Sequence, residues 1–328
     1  MRPAKQSGSL KTYNEGHNVV AWLKLLRLPN VFTAVADVMM GYLVTHGDLQ
    51  PAEQFALLVA ASCLLYLSGI VLNDVFDAEV DTRDRPKRPI PSGDVTLSAA
   101  TAVGWAMLAS GMLVAWFVSF LAGDWRPGAV AMLLAVCIVL YDGLLKRTPA
   151  APLLMGACRS RNVLLGMSLA SLAAEAASPS AVRGWNTAEW LIAIGIGVYI
   201  VGVTIFARTD AHKSSRGRLI GGLVVLLAGI GLLAAVPAWT ENSPPLVVMR
   251  NGWYLLWAVL ALITGRRCAI AILQPSPQRV QAAVRHCVHS IIVLDAAVCV
   301  GYAGPFWGLV VLVLLFPTLL LTIWLDAT

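Results

Sequence analysis

The chain has 328 residues, 58% hydrophobic and only 13% charged, with a mean hydropathy of +0.73. Ordinary soluble domains are excluded by that composition, and an integral membrane protein is implied. The net charge of +6 is explained by where the basic residues sit between apolar runs, so it gives no argument for nucleic-acid binding.

Residues 1–18 are polar, with Lys5 and Lys11, and hold no short apolar core ending in a small-residue cleavage site. They are expected to form a polar cytoplasmic tail and not a removable signal peptide. No linker divides the remainder of the chain, so 19–328 is expected to be one membrane-embedded domain. Uncharged or nearly uncharged stretches lie at about 31–45, 54–73, 98–122, 127–145, 152–174, 188–206, 219–240, 247–265, 286–304 and 306–325. Each is near the roughly 17 to 25 residues that a spanning helix needs. The fold class expected is therefore all-α, a transmembrane bundle of nine or ten helices. The segment 286–304 is the doubtful one, because it carries His286, His289 and Asp295. With the N-terminus cytoplasmic, nineteen of the 24 basic residues fall in the inner connections. The positive-inside rule is then satisfied, which suits a bacterial inner membrane protein.

The second apolar run ends in Asn73-Asp-Val-Phe-Asp-Ala-Glu-Val-Asp81. Asn73, Asp77 and Asp81 recur every four residues and share one face of a continuing helix. Carboxylates held together where a helix leaves lipid repel one another unless a cation sits among them. Mg²⁺ is the natural choice, because it takes few carboxylates and completes its shell with water and phosphate oxygens. The tract 74–91 packs five carboxylates, four basic residues and three prolines into eighteen positions. Metal-binding carboxylates followed by Arg83, Arg85, Lys87 and Arg88 suit a diphosphate substrate, whose leaving group gathers negative charge. A solvated acidic loop that neutralises its basic neighbours is the plainer alternative.

Asn73 to Gly93 closely resembles the first aspartate-rich motif of the UbiA-type intramembrane prenyltransferases, all-helical enzymes that transfer an isoprenoid from its diphosphate to an acceptor. The resemblance covers nearly the whole chain. Arg27-Leu-Pro-Asn30 opens the first crossing as in that family, and Tyr141-Asp-Gly-Leu-Leu-Lys-Arg147 resembles its tyrosine-to-lysine motif. With Gly156-Ala-Cys-Arg159, the pattern is most like the EboC-like branch. The resemblance implies a Mg²⁺-dependent enzyme with Asn73, Asp77 and Asp81 on the metal and Arg83, Lys146 and Arg159 on the diphosphate. It also implies a prenyl diphosphate and a lipophilic or aromatic acceptor as partners, met within membrane lipid.

Arg159 and Asn162 share a face of an otherwise apolar crossing. Arg159 would face the bundle interior, toward diphosphate or Asp142, or else snorkel with Arg161 to the headgroups. The family's second aspartate-rich motif is depleted here to Phe206-Ala-Arg-Thr-Asp-Ala-His-Lys-Ser-Ser-Arg216, with Asp210 its only carboxylate. Asp210 is the candidate second-metal and catalytic ligand, and Lys213 a candidate contact for the diphosphate, with Arg208 and Arg216 supplying further positive charge. A carrier or scaffold for a lipophilic metabolite is the reading favoured by that depletion.

The remaining features are structural. Six cysteines without CxxC spacing read as packing residues. Trp125, Trp185, Trp239, Trp253 and Trp307 fall near outer ends and suit an aromatic belt. Gly195, Gly197, Gly221 and Gly222 lie within apolar runs and suit close helix contacts.

Overall fold

The computed structural model describes residues 15–169, 184–208, 216–239 and 250–327. Regular structure among them is helical: α1 (Glu15–Leu26), α2 (Val31–His46), α3 (Ala52–Phe76), α4 (Ala78–Asp84), α5 (Leu97–Ala122), α6 (Arg126–Leu140), α7 (Ala151–Gly166), α8 (Thr187–Ala207), α9 (Arg216–Ala235), α10 (Arg250–Leu273), α11 (Pro277–Tyr302), α12 (Pro305–Val313) and α13 (Leu315–Ala327). Long apolar runs become helices because lipid offers no partner to backbone amides, which must bond within the segment. Large apolar side chains such as Leu113, Phe120, Leu262 and Phe316 point outward.

Among the described residues nine helical stretches are long and apolar enough to span a membrane. The doubtful segment is one of them, since all of 286–304 but its last two residues falls in the 26-residue α11. The expected crossing at 152–174 is shorter than foreseen: α7 stops at Gly166 after 16 residues. Its two ends are nonetheless anchored on chain that flanks α8. Arg208, just past α8, donates to the carbonyls of Lys146 and Thr148 at 2.6 and 2.8 Å, while Trp185 Nε1 donates to Met167 O at 3.1 Å. The two ends of α7 therefore meet opposite ends of α8. Residues of the basic connections also meet one another at the end that holds the motif: Arg27 and Arg88 on Asp74, and Lys146 on Asp77.

Helix α8 packs through glycine on two sides. A Cβ on Gly202 would lie 2.3 Å from Leu226 N, and one on Gly229 would lie 2.4 Å from Tyr199 N; Gly197 abuts Gly156 and Ser160 of α7. Small residues let these backbones touch where the hydrophobic effect cannot drive association. Gly221 departs from that expectation, as a Cβ there meets open space. Trp253 departs from the belt reading as well: it is buried, donates to Ala234 O at 2.9 Å and lies against Gly301. Trp125 and Trp239 are exposed, as a belt requires. The six cysteines are unbridged, three of them buried.

Gly202→Ala is expected to destabilise the protein by about 1–3 kcal/mol, the usual cost of forcing extra atoms into a close-packed contact. Gly221→Ala should stay within about 0.5 kcal/mol. Thermal unfolding in detergent, run on both variants, checks the pair.

Candidate active site

Helices α3 and α4 are joined by the single residue Asp77, at φ −88° and ψ −2°. The ladder survives the junction. Asp77 N donates to Asn73 O at 3.1 Å, Asp81 N to Asp77 O at 2.8 Å and Arg85 N to Asp81 O at 2.8 Å. Asn73, Asp77 and Asp81 thus lie along one face, as their spacing implies.

Each carboxylate there has a basic partner. Asp74 Oδ1 accepts from Arg27 at 2.5 Å and Arg88 at 3.3 Å, Arg88 also reaches Asp81, and Lys146 pairs with Asp77. The side chains of Asp74 and Asp81 are 6% exposed. These pairs are therefore screened far less than surface ion pairs, which are worth about 0–1 kcal/mol. Asn73 Nδ2 donates to Asp142 Oδ1 at 2.8 Å. Asp142 and Lys146 come from the π-helical turn Tyr141–Leu145 and the residue after it. Such a widened turn often marks a functional site.

Arg27 holds an uncommon backbone conformation, φ 45° and ψ 47°, the one non-glycine residue with positive φ among the described residues. A non-glycine residue in that region is strained and persists where its surroundings over-determine it; here the ion pair to Asp74 is one such constraint. Arg27 also lines a cleft of about 610 Å³ with Lys24, Asn30, Arg85, Arg285 and His289, and no carboxylate lines that cleft. Its walls favour an anion.

A second polar network lies deeper. Arg159 donates to Asp37 Oδ2 at 2.6 Å and Thr33 Oγ1 at 2.8 Å, with its guanidinium 5.7 Å from the Tyr66 ring. Asn162 donates to Asp37 Oδ2 at 2.9 Å and Ala34 O at 3.0 Å, and accepts from Ser62 at 2.6 Å. Tyr66 precedes Asn73 by two turns, so this network sits roughly 10 Å along α3 from the motif.

The expected site residues are thus distributed unevenly. Asn73, Asp77, Asp81 and Lys146 come together. Arg83 does not join them; it pairs with Glu79 on the exposed side of α4, and Arg88 and Arg27 hold the carboxylates instead. Arg159 and Asn162 are occupied by Asp37, neither by Asp142 nor at the headgroups. Asp210 and Lys213 lie outside the described residues. Asp37 was missed, although a lone carboxylate in an apolar crossing was a visible signal.

Among the described residues no group of three or more acidic, histidine or cysteine side chains gathers tightly enough to hold a metal alone. Oδ1 of Asp77 and of Asp81 nevertheless carries none of the ion pairs, which fall on Oδ2. One or two hard oxygens with room for water and phosphate suit Mg²⁺, which seldom uses an all-protein cage.

The model of the UbiA prenyltransferase family matches residues 34–291. The digeranylgeranylglyceryl phosphate synthase of Methanoculleus marisnigri is 34% identical over 132 residues, 40% of this chain and 45% of the relative; that of Methanoregula boonei is 35% identical over 131 residues, 40% and 44%. The chain thus spans less than half the length of these curated relatives. Among solved structures, a UbiA homologue from Archaeoglobus fulgidus bound to GPP and Mg²⁺ aligns with a TM-score of 0.60 at 12% identity, over 85% of this chain and 99% of that one. An apo homologue from Aeropyrum pernix aligns at 0.56 and 18% identity, over 82% and 97%. At such identities the structures show a shared fold.

Arg159→Gln should destabilise the protein by about 3–5 kcal/mol, because it strips a buried carboxylate of its charged partner. Arg83→Gln, on an exposed pair, should change stability by less than about 0.5 kcal/mol. Chemical unfolding in mixed micelles measures both.

Proposed function

The chain belongs to the UbiA prenyltransferase family, and on that premise we propose that it is a Mg²⁺-dependent membrane prenyltransferase. Its donor is a prenyl diphosphate and its acceptor a small lipophilic or aromatic molecule. The observation that carries this reading is the row Asp74, Asp77 and Asp81, held by Arg27, Arg88 and Lys146 beside a basic cleft. The GPP and Mg²⁺ in the Archaeoglobus fulgidus homologue and the synthase activity named for the curated relatives support it.

Asp77 and Asp81, with the Asn73 amide oxygen, would hold the metal, and Asp210 would serve a second one. Bound there, Mg²⁺ supplies Lewis-acid neutralisation of the diphosphate. The chain's own bases do the rest. Lys146, Arg88 and Arg27 now spend their charge on carboxylates; when substrate enters, they turn to its phosphate oxygens. Positive charge already in place where negative charge grows needs no reorganisation in the transition state. The apolar helices exclude water while the bond from allylic carbon to oxygen breaks and the acceptor attacks. We place the whole of 19–328 in this one domain, in the cell membrane, with the N-terminus and the 74–91 loop cytoplasmic.

Three measurements test the proposal. Diphosphate release in nanodiscs should require Mg²⁺, and Asp77→Asn should lower turnover by on the order of 10²-fold; prenyl diphosphate binding that ignores Mg²⁺ in both proteins would sink the metal assignment. Asp210→Ala should lower turnover far more than affinity, whereas unchanged or tighter binding with no turnover in either protein would favour a non-catalytic carrier. Cysteine placed at the exposed Ser92 should resist labelling by an impermeant reagent until the membrane is broken; labelling of intact cells would reverse the topology.

A further inference from the structure

We propose that Asp37 and Asp295 share one proton inside the bundle, forming a buried proton-binding site distinct from the motif at the end of α3. Both residues are 0% exposed. Asp37 Oδ2 takes the donors of Arg159 and Asn162, while Asp37 Oδ1 and both oxygens of Asp295 have no donor. The two carboxyl groups meet across the packed faces of α2 and α11. Contact between carboxyl oxygens is a hydrogen bond only when one of them carries a proton.

The charge count leads to the same point. Two carboxylates against the one guanidinium of Arg159 leave one negative charge buried among apolar side chains, and two carboxylates in one site do not both ionise. A metal ion is the other neutraliser, but it needs about six oxygens. The neighbouring oxygens are spent: Thr33 Oγ1 donates to Asn30 O and accepts from Arg159, and Asn162 Oδ1 accepts from Ser62. Three free carboxyl oxygens suffice for a proton and fall short for a metal.

The other titratable groups on the surrounding elements add no second counter-charge. They are Tyr66 on α3, Tyr199 on α8, bonded to Cys287 O, Cys268 on α10, with its Sγ 3.6 Å from that of Cys287, and Cys299 on α11 one turn past Asp295. His286 and His289 precede Asp295 on α11 by nearly two turns or more, so neither histidine belongs to this site.

Infrared spectra of the purified protein, with aspartate isotope-labelled at its carboxyl carbon, test this. The parent should show a buried carboxylic-acid C=O band at neutral pH that Asp295→Asn removes. Stability should change in step. The native state keeps a proton that the unfolded chain loses above the free aspartate value near 4. The parent's folding constant relative to that of Asp295→Asn should therefore fall about tenfold per pH unit, from there until the pair deprotonates. No acid band in the parent overturns the proposal, as does an equal pH slope in the two proteins. Stabilisation of the parent alone when choline is replaced by Na⁺ would assign the site to a cation instead. If Asp295→Asn does not fold, the spectrum of Asp142→Asn decides: a buried acid band that persists there supports the pair, and its absence overturns the proposal.

Discussion

Charge carried into a bilayer has to be neutralised locally, because lipid solvates it poorly and the separation of opposite charges there is costly. That constraint orders this molecule. Arg27 and Arg88 converge on Asp74, Arg88 reaches on to Asp81, Lys146 meets Asp77, and Arg159 is drawn across to Asp37. These pairs tie the segments that follow α1, α4 and the π-helical turn to α3 and α4 at the motif end, and α2 to α7 deeper in. Where no base is at hand, as at Asp295, a proton completes the balance.

The same constraint separates two kinds of arginine. Arg27, at the motif, lines the cleft, and in the mechanism we propose it exchanges a carboxylate for a phosphate oxygen at little cost, since both partners are anions. Arg159 is buried, gives its donors to Asp37 and Thr33, and ties α7 to α2. The chemistry we propose rests on the first group, and Arg159 serves the architecture.

Much of the motif was legible in the sequence, because four-residue spacing is local geometry: Asn73, Asp77 and Asp81 needed no tertiary information to share a face. Lys146 came from family resemblance, and its contact with Asp77 spans 69 residues of sequence. The choice among Arg83, Arg85 and Arg88 was not legible. It depends on how the chain turns after α4, through Ser92 N to Arg88 O and Val95 N to Pro89 O, which brings Arg88 back toward Asp74. The partner of Arg159 was hidden for a similar reason: Asp37 is 122 residues away, and no periodicity links two helices that distant. The glycine seams were legible as small residues in apolar runs, but which glycine faces a neighbour depends on helix rotation, and so Gly221 was misread.

The brevity of α7 leaves non-helical chain buried beyond its end. Ser62 on α3 and Asn162 on α7 touch, and measured from that contact α3 continues ten residues to Ala52 while α7 has only four left before it ends at Gly166. At 1.5 Å per residue α7 therefore falls about 9 Å short of its neighbour on the side away from the motif. Chain fills the shortfall: Met167, Ser168 and Leu169 leave the helix yet stay buried, with Met167 O capped by Trp185 and Ser168 Oγ bonded to Leu165 O. Irregular backbone at membrane depth is tolerated only where protein covers it. Burial and two hydrogen bonds thus hold the end of α7 where further helical turns would otherwise have done so.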